Sequence, residues 1–377
     1  MPRRSLRLQC RSPTHKPVPN PIPEHADIDS VPDSDSDPDV NPIPNSNSDP
    51  DNLQVLDPIP NSNSDNLEFL DLYPERNKHL DNLDKLDLDM NDVRSGGYRN
   101  NCLNANGIYF RLPSDALPQT VALHTNQILA AAPRPSLMLA TVILELDSLS
   151  THGCSEASII HCLSGFFPRL PDLDASHQRA MARHLLPACD DTLSLPQPAP
   201  DLLYGYSLRT FTKAQQVALR HIHPEIWSYG QATPEVSFPF FVVELKAAAG
   251  TGGSLWDASN QCAGGSAACL QALDQLNTAL DDIGCQERIP NLCYSLALDN
   301  NLGQLYVSWK DGDFYIQRVS SFLLSDAQHF ARLHACVAAI AEWGATRLQD
   351  IHAAADHICQ FCLQLPQTAS SSPLMSA

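Results

Sequence analysis

The sequence predicts a mixed α/β domain, a central sheet flanked by helices, carried behind an acidic N-terminal tail with no core of its own. Three observations carry that expectation. Phe238 to Leu245 is a near-continuous apolar and β-branched run, the pattern of a strand buried on both faces. A long stretch follows with apolar residues at helical spacing, from Trp256 through Leu270, Leu273, Leu276 and Leu280, and Ser254 is placed to cap it. Leu292 to Leu298, Leu305 to Lys310 and Phe314 to Val319 then read as strands, the last two joined by the hairpin signal Asp311-Gly312.

Composition separates the tail from the domain. The chain has 377 residues and a net charge of −19, with 30 prolines against 16 glycines. The first 95 residues hold 19 acidic and 9 basic side chains, so they carry −10 of that charge in a quarter of the length. Within them Asn41-Pro-Ile-Pro-Asn-Ser-Asn-Ser-Asp49 recurs as Asp57-Pro-Ile-Pro-Asn-Ser-Asn-Ser-Asp65. Such a segment buries too little apolar surface to offset the entropy of ordering it, so residues 1–95 are expected to be disordered and 96–377 to form one domain. Asp33-x-Asp35-x-Asp37 has the spacing of a calcium loop, but Pro38 stands where the glycine is needed and no Glu closes it.

Taken in order, the domain begins near Tyr98 with a turn at Asn106-Gly107 and a short apolar run, Ile108 to Leu112. Leu137 to Leu149 suits a helix or a buried strand, and Glu156 to Phe167 shows a helical face. His177 to Leu186 reads as a helix stopped by Pro187. Asp201 to Tyr206 reads as a short strand and Phe211 to His221 as a helix. After the strands already named, two helices over Asp326 to Trp343 and Leu348 to Leu363 complete the domain.

One strand end carries chemistry. With a side-chain period of two, Glu244 and Lys246 share a face while Leu245 takes the other. Charged groups closing a buried apolar strand are costly unless they face a site or each other. Asp201 opens another short strand. Carboxylates from two adjacent strands can share a hard divalent cation such as Mg²⁺, and a neighbouring lysine can orient the attacking water in phosphoryl transfer.

These residues are also the ground of a resemblance. Pro200-Asp201, then Glu244-Leu245-Lys246 on an apolar strand, then a helix carrying Gln261, resembles the PD-(D/E)XK nuclease superfamily. Tyr98 to Tyr109, Pro200 to Ser207 and Phe240 to Ser266 more closely resemble a nuclease-like domain of uncharacterised fungal proteins within it. The resemblance implies a restriction-endonuclease-like core in the order α-β-β-β-α-β. It further implies Asp201 and Glu244 as Mg²⁺ ligands, Lys246 as the catalytic lysine, Gln261 lining the same cleft and Glu156 as an accessory acid. DNA or RNA would be the substrate. Between Asp201 and Glu244 lie 42 residues, so the test is whether the fold brings the two carboxylates together.

Other chemistries are disfavoured. Gly250-Thr-Gly-Gly-Ser254 lacks the Gly-Lys-Ser/Thr of a phosphate loop, Cys359-x-x-Cys362 with His352 and His357 has no second matching pair for zinc, and no His-Glu-x-x-His occurs. Arg3, Arg4, Arg7 and Arg11 precede no apolar core, and no run nears the roughly 20 apolar residues of a membrane span, so a nuclear or cytoplasmic protein is expected. The 12 cysteines suit a reducing compartment. An acidic domain with few Lys and Arg around its motifs also suits an alternative, a catalytically inactive nuclease fold used as a binding or effector module.

Overall fold

The computed structural model describes residues 92–133, 137–153, 155–187, 193–221, 230–247 and 253–364, all within one compact unit of the chain. The expected tail lies outside the described residues except for 92–95, and so do the Asn-Ser-Asp repeats and residues 250–252.

An interior strand is β4 (Ser237–Leu245), in which all nine residues are buried, as its apolar run requires. Antiparallel to it lies β3 (Leu202–Tyr206), and beyond that the short edge strand β2 (Leu173–Ser176). On its other side β4 pairs in parallel with β5 (Leu292–Leu298), which leads into the antiparallel β6 (Leu302–Asp311) and β7 (Asp313–Leu323). The hairpin between β6 and β7 turns at Gly312, whose φ of +70° is the left-handed conformation glycine tolerates. Strand β1 (Ile108–Arg111) joins β7 in parallel, giving the order β1-β7-β6-β5-β4-β3-β2 among the described residues.

Helices cover both faces. On one, α5 (Leu255–Asp282) lays Ala258, Cys262 and Ala268 over Val242, Leu203 and Cys293. Small residues permit that approach: a Cβ on Gly265 would sit 3.1 Å from Val242 Cγ1. Ser254 caps this helix as expected, in a capping box with Asp257. On the other face, α6 (Ala327–Gln364) packs Phe330, Leu333 and Ile340 into a core with Phe241, Tyr294 and Leu296. That core is extended by α1 (Gln119–Leu129), α2 (Leu137–His152), α3 (Glu156–Cys162) and α4 (Lys213–His221). Read along the chain, α3-β2-β3-β4-α5-β5 has the order α-β-β-β-α-β, with α4 inserted between β3 and β4.

Two expected elements differ, each for a tertiary reason. His177 to Leu186 contains only a 3₁₀ turn, Arg183–Leu185, because its backbone donors pair outward instead of with residues four back. Gln178 N–H donates to Pro200 O, Met181 N–H to Pro198 O and Ala182 N–H to Ala232 O. The two C-terminal helices are one, α6. Gly344 does not break it: the Phe240 ring fills the space where a Cβ would stand, and Tyr206 Oη donates to the Gly344 carbonyl at 2.8 Å. Buried Arg347 continues it, one Nη1–H donating to Leu292 O.

Candidate active site

The site forms where β3 begins and β4 ends. Residue pairing runs Leu203 with Val242 and Leu202 with Val243, so the next pair along the register is Asp201 with Glu244. Of the 42 intervening residues, 202–206 are β3 itself and 237–243 are the body of β4, with α4 between them, and the two carboxylates meet across adjacent strands. Alternation along β4 holds as expected: Leu245 joins the α6-side core, while Val242 faces α5, as do Glu244 and Lys246 by the same period.

Each side chain is held by a specific neighbour. Asp201 is buried; its Oδ2 accepts from the Leu245 N–H at 2.8 Å and its Oδ1 from Gln178 Nε2 at 3.1 Å. Lys246 is buried, and its own N–H donates to Leu298 O, tying the residue after β4 to β5. Its stem runs against the start of α5, for a Cβ on Gly253 would lie 3.1 Å from Lys246 Cδ and 2.8 Å from Asp257 Oδ2. Its Nζ lies 3.4 Å from Glu156 Oε1. Glu156 stands in the first turn of α3, which Ser155 caps, so the structure brings this expected accessory acid to the same cluster.

Charge is concentrated in a dry place. The Glu244 carboxyl is pushed well above the ordinary carboxylate range, first by burial and then by the negative charge of Asp201. Lys246 opposes that shift, and Glu156 adds to it. Cys262 lies beneath the same group on α5, and its thiol is pushed up by burial and next by Glu244.

Gln261 is placed less directly. It lies on α5 one residue before Cys262 and is half-buried, but no hydrogen bond joins it to Asp201, Glu244 or Lys246 among the described residues. Its Oε1 is buried with no hydrogen-bond partner there. Gln178 is the member that sequence reasoning missed. Its backbone φ of +49° is unusual for a side chain with a Cβ, and nothing in the residue type or its neighbours signals that its amide would hold Asp201.

The donor set suits a hard cation: two buried carboxylates, one of them destabilised as an anion until a positive charge arrives. Among the described residues no group of three or more His, Cys, Asp or Glu side chains is arranged to hold a metal ion. Cys359, Cys362, His352 and His357 form no such group, and no disulfide joins two described cysteines. No described helix is long and apolar enough to cross a membrane.

No curated protein matches the chain. Residues 154–355, more than half of the chain and a span that contains Glu156, Asp201, Glu244, Lys246 and Gln261, match a family described as a domain of unknown function, DUF7924, and the chain belongs to that family.

Proposed function

We propose that the protein is a divalent-cation-dependent nuclease-like enzyme of the PD-(D/E)XK type that hydrolyses phosphodiester bonds in DNA or RNA. The observation that carries this reading is the meeting of Asp201, Glu244 and Lys246 at the shared end of β3 and β4, in a core of α-β-β-β-α-β order. Asp201 and Glu244 would hold Mg²⁺, which supplies Lewis-acid stabilisation of charge on a phosphoryl oxygen and eases deprotonation of water.

The chain's own groups orient and balance the reaction. The Leu245 N–H and Gln178 amide fix the direction of the Asp201 carboxylate. Lys246 Nζ is a cation among three carboxylates, positioned to donate a hydrogen bond to the attacking water and to offset negative charge as the bond to phosphorus forms. Its contact with Glu156 restrains the ammonium without burying the pair completely. The first turn of α5, next to the Lys246 stem, adds the positive end of a 28-residue helix.

The test is cleavage of DNA and RNA oligonucleotides by the full chain with Mg²⁺ or with EDTA, beside Lys246→Ala and Glu244→Ala. Divalent-dependent cleavage that falls by about 100-fold or more in both variants is expected. Absence of cleavage on every substrate, together with Mg²⁺ binding that is unchanged in Glu244→Ala, would overturn the proposal. Residues 96–377 keep 24 acidic against 15 basic side chains, a net charge of −9, which favours a second reading, an inactive fold that binds rather than cuts. Metal-dependent nucleic-acid binding without turnover is its signature.

A further inference from the structure

Next to the acidic cluster, on the side of β3 facing away from α5, lies a cavity of about 360 Å³. That is within the roughly 300–1,000 Å³ of small-molecule sites, which combine apolar walls with a few polar groups. Phe167 and Tyr204 contribute ring surface to its walls. Both rings are braced from behind: Phe167 packs edge-on to Phe166 at 5.2 Å, and Tyr204 stacks on Phe241 at 5.9 Å while its hydroxyl donates to Pro168 O. Arg169 and His177 stand at the exposed rim with Asp174 beside them, and Asp201 belongs both to this cavity and to the acidic cluster. Whatever fills the cavity therefore lies next to Asp201.

Charge narrows the occupant. Residues 96–377 have 15 Lys and Arg against 24 Asp and Glu, and a nucleic acid gripped along its phosphates needs a basic track. Here the cavity offers the Arg169 guanidinium and the His177 imidazole at its mouth and aromatic residues within. Base stacking on aromatic rings is the other general source of affinity for nucleic acid, and it requires a base out of its duplex stack. We infer that the cavity receives one unstacked nucleobase of a single-stranded substrate, with Arg169 and His177 meeting the adjoining phosphate, so that recognition works through the base rather than through a run of phosphates. This inference rests on the nuclease reading and assigns its substrate class.

The full chain in EDTA, where divalent-dependent cleavage is blocked, can be titrated with a labelled 12-residue DNA or RNA single strand, the matching duplex, and a strand of abasic sites. The intact single strands are expected to bind about tenfold or more tightly than either comparison. The affinity of the single strand should fall with salt by a slope near −1, roughly that of one cation–phosphate contact. Ala175→Trp, on β2, and Ser164→Trp, just after α3, fill the cavity from two exposed lining positions, and each should cost about tenfold or more in single-strand binding with unchanged circular dichroism. Equal binding of the duplex or the abasic strand, or wild-type affinity in both folded tryptophan variants, would overturn the inference. Cleavage assays on the same preparations with Mg²⁺ separate it from the reading beneath it. Divalent-dependent cleavage that both tryptophan variants retain refutes the cavity alone. Base-dependent binding without cleavage in the wild type refutes hydrolysis alone.

Discussion

The carboxyl of Glu244 is buried beside Asp201, and Lys246 is the charge that favours its ionised form. Its folded-state pKa lies above its unfolded one, so the folded chain keeps this proton longer as pH rises. The associated stability is complete below the ordinary carboxylate pKa and is lost as pH climbs toward the raised value. Glu244→Gln removes the titration and keeps the shape. In EDTA the variant should therefore melt higher than wild type near about pH 8 and gain little near about pH 4, as followed by circular dichroism. An equal shift at both values would refute this account. The shared face of Glu244 and Lys246 was legible in the sequence because strand alternation places side chains without knowledge of the rest of the fold, whereas Asp201 was legible only as the start of another strand. Gln178 was not, since its contact with Asp201 depends on the 177–187 segment pairing its backbone with the 198–200 segment.

At the scale of elements, local signals succeeded where the residues themselves set the boundary. Ser254 and Asp257 cap α5, Gly312 turns the β6–β7 hairpin, and the apolar runs of β4 and β5 end close to where they were expected. They failed where a distant partner decided. Gly344 reads as a helix end, yet Phe240 packs where its side chain would be, and α6 runs through it. Helix propensity alone would make Gly344→Ala stabilising by about 1 kcal/mol. The displaced Phe240 ring reverses the sign, and a loss of about 1–3 kcal/mol is expected in urea denaturation. Arg99 is a second such partner. Its guanidinium lies 3.6 Å from the Phe110 ring centroid and 3.7 Å from that of Trp256. It donates to Asn260 Oδ1 and Ser259 Oγ at 2.7 Å each, and burial pulls its pKa down to about 10. It fastens the Tyr98 segment and β1 to α5, so Arg99→Leu should cost roughly 2–4 kcal/mol by the same measurement.

For the whole molecule, the acidic composition and the buried acid pair point to one measurable linkage. A cation that binds the folded site and not the unfolded chain stabilises by an amount set by its concentration over Kd, about 2.7 kcal/mol at a hundredfold excess. Mg²⁺ should therefore raise the melting temperature of the wild-type chain and leave that of Glu244→Ala unchanged. Equal shifts in both would place any bound Mg²⁺ elsewhere.

The sequence by itself determined the mixed α/β class, the central strands, the cap of α5 and the shared face of Glu244 and Lys246, because periodicity and capping are properties of neighbouring residues. Tertiary structure decided that β1 pairs in parallel with β7, that α6 is continuous, and that Asp201 and Glu156 arrive beside residues 43 and more positions away. Those outcomes depend on which buried surfaces and unpaired backbone groups find each other across the sheet, and no local pattern encodes that choice.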